Sequence, residues 1–136
     1  MVRLTRSIDF SSSLRYRRDD LDEAENRANF GPAAAQHGHN YRLEVTVEGE
    51  PDPVTGMVID LKELKAILEA EVSARFDHRD LNDDTPYFEK SPPTPENLAA
   101  VIFGLLEPVL PGLLRAVRLR QDEDTWVDVV AEDGVR

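Results

Sequence analysis

The first sixteen residues alternate. Val2, Leu4, Ile8, Phe10, Ser12, Leu14 and Tyr16 share one parity, with polar residues between them. Period two predicts a long strand with one apolar face. A second alternation runs over 39–49: Tyr41, Leu43, Val45 and Val47 lie on one side, Asn40, Arg42, Glu44, Thr46 and Glu48 on the other. His37 and His39 have the parity of the apolar side, and "GEPDPVTG" ends the strand with turn chemistry. Residues 17–36 are charged, then small, without a period, and read as a long loop. Loops of that length in a compact domain are often functional.

The period then changes. Asp60 is placed to cap a helix, with Glu63 in capping-box position, and its stripe is Leu61, Leu64, Ile67, Leu68, Val72 and Phe76. A second helix opens at Thr94 with Pro95 in its first position. Its stripe is Leu98, Val101, Ile102, Leu105, Leu106 and Val109, closed by "LPG". Val117, Leu119 and Gln121 mark a third strand, and "TWVDVV" over 125–130 a fourth. Strands in runs and helices in a run predict an α+β fold: a four-stranded antiparallel sheet with two helices on one face, as a single domain over 1–136. Four strands leave two open edges, which edge-to-edge oligomerisation would cover.

Composition narrows the function classes. A chain of 136 residues, 40% hydrophobic, is enough for one modest core. No apolar run approaches the ~20 residues of a membrane span, and "MVRLTRSIDF" lacks the apolar stretch of a secretory signal. A cytoplasmic protein is therefore expected. The formal charge of −11 argues against nucleic acid and anionic membranes as partners. The basic patch "RYRR" is followed at once by "DDLDEAE", and both read as solvated. With no cysteine, there is no disulfide, thiolate ligand or cysteine nucleophile.

His37 and His39 are two of only three histidines. On a strand their rings project the same way, with α-carbons roughly 6.6–6.8 Å apart, and can converge on one ion such as zinc. The spacing alone is a weak signal for metal and fits a structural pair better.

The segments "FSSSLRY", "FG…HGHNYRLEVTVEG", "TGMVIDLKELK", "FDHRDLN" and "PTPENLA" together resemble the 6-pyruvoyltetrahydropterin synthase family, which includes 6-carboxytetrahydropterin synthases, over residues 4–129. The resemblance implies the tunnelling fold, in which three subunits join sheet edges into a twelve-stranded barrel and trimers commonly stack into hexamers. It also implies a small-molecule ligand in an intersubunit pocket. Asp77 and His78 match the family's proton-transfer pair, and Thr94 and Glu96 match a region near the pterin pocket.

Three matches depart from the pattern. The third zinc histidine corresponds to Leu14, the proton-transfer cysteine to Ala33, and the glutamate that grips the pterin to Gln121. Catalytic zinc normally keeps three protein ligands, so His37 and His39 form a degenerate site. No cofactor is expected, and zinc would need water or a solute in place of the missing ligand. A glutamine amide offers one acceptor and one donor where a carboxylate offers two acceptors, so it would oppose a ring donor. These departures suggest a re-purposed, zinc-independent enzyme using Asp77 and His78 for cyclisation or proton transfer on a small heterocycle. The alternatives are a non-catalytic binding module and a pterin-forming lyase of the family's usual type.

Overall fold

The computed structural model describes residues 1–132. Strands β1 (Val2–Leu14) and β2 (His37–Gly49) pair antiparallel over their full lengths, from Val2 opposite Gly49 to Leu14 opposite His37. β4 (Leu114–Arg120) pairs antiparallel with β2, and β5 (Trp126–Val130) with β4. The two-residue β3 (Arg79–Asp80) runs parallel to β1 on its free side. The sheet therefore has five strands, ordered β3-β1-β2-β4-β5. The four-strand expectation missed β3, which is too short for any period to register. β1 also ends at Leu14, short of Tyr16, whose N–H instead donates to the Ala33 carbonyl (2.8 Å).

The stretch expected to be a loop holds helix α1 (Glu23–Phe30) and a 3-10 turn over Gly31–Ala34. α1 has no apolar stripe to betray it. A full capping box supports it instead: Asp22 accepts from the Glu25 N–H, and Glu25 accepts from the Asp22 N–H. Asn26, its one buried residue, pins it to the preceding chain. The charge runs pair with each other here, Arg17 with Asp19 and Glu23, and Arg18 with Asp20.

Helix α2 (Leu61–Leu68) continues through a π turn (Glu69–Ser73) and a last turn (Ala74–Phe76). Leu64, Leu68, Val72 and Phe76, all fully buried, recur every fourth residue. On a pure α-helix that row would drift by about 40° per step; the wider π turn offsets the drift. Asp60 caps the helix through the Lys62 N–H (2.8 Å) rather than through the expected box with Glu63, and Leu61 is exposed. Helix α3 (Pro95–Leu106) opens as its sequence indicates, with Thr94 Oγ1 accepting from the Asn97 N–H (3.2 Å). Val109, beyond its end in a 3-10 turn, is exposed rather than part of the stripe.

Even-numbered residues of β1 and odd-numbered residues of β2 and β4 supply the buried face, including Phe10, Tyr41, Leu43, Val45, Val117 and Leu119, together with α2 and α3. The opposite face is polar and paired across strands: Arg3 with Glu48, Thr5 with Thr46, Asp9 with Arg42, Glu44 with Arg120, and Arg118 with Asp128. Among the described residues, no helix is long and apolar enough to cross a membrane.

Candidate active site

The two histidines open β2 where it faces the end of β1. His39 lies opposite Ser12, and His37 opposite Leu14. The His37 and His39 rings meet edge to face, with centroids 5.3 Å apart. Tyr16 abuts His37 (5.6 Å) and Tyr41 abuts His39 (5.6 Å), so the imidazoles sit inside an aromatic row. His37 Nδ1 lies 2.8 Å from the Ala35 carbonyl, which accepts its hydrogen and fixes the orientation of the ring. Burial and then the neighbouring His37 lower the basicity of His39, while the charge of Asp122 opposes them. On balance the neutral form of the ring is favoured over the charged one.

The position facing His37 is thus Leu14, fully buried and hydrocarbon throughout. Among the described residues, no three His, Cys, Asp or Glu side chains are grouped to hold a metal ion. Two imidazoles and a leucine do not fit the three-ligand requirement of catalytic zinc.

Asp77 and His78 are clamped to the other side of β1. The Ser11 N–H donates to Asp77 Oδ1 (2.9 Å), and the His78 N–H donates to the Ser11 carbonyl (2.7 Å). The Ser11 N–H is the main cause holding the Asp77 carboxyl below its ordinary range; burial opposes it and His78 reinforces it. His78 Nδ1 lies 3.0 Å from Asp77 Oδ1, which leaves Nε2 to act as a base. His78 also has a φ of 58°, unlike every other described non-glycine residue. Such left-handed backbone is costly for a side chain with a Cβ and concentrates at functional sites. An open groove of about 550 Å³ crosses β1 between them, lined by Ser11, Ser13, His39, Asn40, His78 and Asp80.

The other candidates gather at the histidine end. Ala33 contributes its carbonyl to Tyr16 and has no side-chain chemistry. Thr94 is occupied as the α3 cap. Glu96, in the first turn of that helix, reaches Tyr16 electrostatically: burial raises the Tyr16 phenol, and the Glu96 charge adds to the effect. Gln121 lies just past β4, in a turn fixed by its N–H to the Thr125 carbonyl (3.0 Å). Its Oε1 is buried without a hydrogen-bond partner, and so is the hydroxyl of Tyr41. Tyr16 and Tyr41 escaped the reading of the sequence because their parity assigned them to the core. The Tyr41 hydroxyl was the available signal, since a buried phenol needs a partner.

A family model described as 6-pyruvoyl tetrahydropterin synthase matches residues 3–132. The chain is 40% identical over 129 residues to the 6-pyruvoyl tetrahydrobiopterin synthase of Homo sapiens, covering 93% of this chain and 89% of that protein. It is 38% identical over 126 residues to the Dictyostelium discoideum protein of the same name, covering 93% of both. The structure of Caenorhabditis elegans 6-pyruvoyl tetrahydropterin synthase superimposes with a TM-score of 0.88 at 32% identity, covering 96% of each chain.

Proposed function

Because the chain belongs to the 6-pyruvoyl tetrahydropterin synthase family, we propose that it is a lyase acting on the side chain of a pterin, with Asp77 and His78 moving the proton. The names of its near-full-length relatives support a pterin over an unrelated heterocycle. The observation that carries the reaction type is the His78 ring, 84% exposed and held by Asp77 with its Nε2 free. In a dihydropterin the ring C=N acidifies the C–H of the attached side-chain carbon and can accept its electron pair. His78 Nε2 takes that proton as a general base. The electron pair held in the ring then expels an oxygen substituent from the next side-chain carbon as its anion, breaking that carbon–oxygen bond. The imidazolium, stabilised by Asp77, can return the proton. No step is assigned to a metal, since the donor set does not fit one.

The groove is open in a single chain, and edge pairing with further copies would supply the wall it lacks. This supports a homo-oligomer with its pterin pocket between subunits. A second reading, altered chemistry on the same ring, is favoured by the substitutions at Leu14, Ala33 and Gln121.

The test is proton exchange. With a dihydropterin carrying an oxygenated side chain in D2O, mass spectrometry should detect deuterium at the side-chain carbon or elimination products. His78→Gln should slow either process by about 100-fold or more. Undiminished exchange in His78→Gln would remove His78 from the reaction. No binding of the dihydropterin to the wild type would overturn the pterin assignment.

A further inference from the structure

We infer that Gln121 reads the lactam edge of a pterin, the ring N–H together with the adjacent carbonyl, instead of the edge formed by that N–H and the exocyclic amino group. The inference rests on the pterin reading above and specifies how the ring is held. Two observations locate the contact. Gln121 Oε1 and the Tyr41 hydroxyl are both buried without hydrogen-bond partners, although Tyr41 is only 1% exposed. A buried polar group left unpaired costs about 1–3 kcal/mol, so two of them together mark a place for polar ligand atoms.

The register brings the two together. Leu43 and Leu119 are paired and both fully buried, and Arg42 pairs with Arg120. Continuing one step sets Tyr41 beside Gln121, on the face that Leu43 and Leu119 share. Tyr41 stacks on Phe10 with centroids 5.0 Å apart and meets His39 edge-on, so aromatic rings border the position. That is suitable company for a planar heterocycle.

The donor pattern then selects the edge. A carboxylate is acceptor-only and complements two adjacent N–H groups. A primary amide carries one acceptor and one donor, and complements a ring N–H beside a carbonyl. Pterin has both edges, and they share the N–H at ring position 3. Gln121 Oε1 can accept from that N–H while its amide group donates to the 4-oxo oxygen. The clash expected between the amide and a ring donor arises only at the other edge. Recognition is thus moved by one ring substituent, and the 2-amino group is released from this residue.

Calorimetric titration of the full chain with three probes tests this: pterin, pteridin-4-one (which lacks the 2-amino group) and 3-methylpterin. Wild type should bind pterin and pteridin-4-one within about threefold of each other and lose at least about tenfold on 3-methylation. Gln121→Glu should instead lose at least about tenfold when the 2-amino group is removed. A tenfold or greater loss in wild type on removing that group overturns the inference even if the variant does not fold, as does equal binding of pterin and 3-methylpterin. Failure of all three probes to bind wild type would overturn the pterin reading itself, a separate outcome.

Discussion

Leu14 shows how much one side chain can alter. It stands opposite His37 in the β1–β2 ladder and is fully buried. An imidazole there would face a ring already oriented by its Nδ1 hydrogen bond to Ala35, the kind of second interaction that prepares a histidine for metal. Purified protein should therefore hold far less than one zinc per chain, and Leu14→His should raise zinc affinity sharply, measured by competition with a chromogenic chelator. The variant will also lose some stability, because a polar ring replaces buried hydrocarbon. Stoichiometric zinc retained by the wild type through dialysis would contradict this account. Leu14, Ala33 and Gln121 were all visible in the sequence as departures, because the motifs around them are intact. A phenol on the buried face was visible too, but not that its hydroxyl goes unpartnered, since an alternating pattern records only which face a residue occupies.

At the scale of elements, α1 is the clearest case of structure without periodicity. The Asn26 amide accepts from the Arg18 N–H (2.9 Å) and donates to the carbonyls of Arg18 (3.1 Å), Leu21 (3.2 Å) and Asp22 (3.1 Å). These bonds replace the apolar stripe that anchors most surface helices. Asn26→Ala should destabilise the protein by about 1–3 kcal/mol, since several part-buried backbone groups lose their partner at once. Denaturant unfolding of variant and wild type measures this, and a difference below about 0.5 kcal/mol would show that α1 is held by something else. α2 teaches the complementary lesson. Its apolar row was legible as a helix, but the π turn that keeps the row on one face appears only when the row meets the sheet.

The whole molecule presents β3, of two residues, at one edge of its sheet and β5 at the other. Edge strands with unpaired backbone groups are ordinarily covered, and an antiparallel sheet with one polar face suits closure into a barrel with that face inward. We expect a homo-oligomer in multiples of three, a trimer or hexamer by light scattering. A stable monomer at micromolar concentration would refute it. Oligomerisation would also enclose the groove over β1, so dilution into monomer should abolish pterin binding along with assembly.

What the sequence determined by itself was the order and type of the long elements and the identity of the chemical groups. Period two and helical spacing are local consequences of which face is buried, so they survive without knowledge of partners. The Asp77–His78 pair and the three substitutions were likewise legible in their motifs. Only the tertiary structure decided what those groups touch. It placed Leu14 against His37, clamped Asp77 and His78 to Ser11, turned His78 through a left-handed backbone, and left the Tyr41 hydroxyl and Gln121 Oε1 each buried without a partner. Each depends on residues far apart in the chain being brought into register, and hydrogen-bond satisfaction across strands leaves no trace in a local pattern.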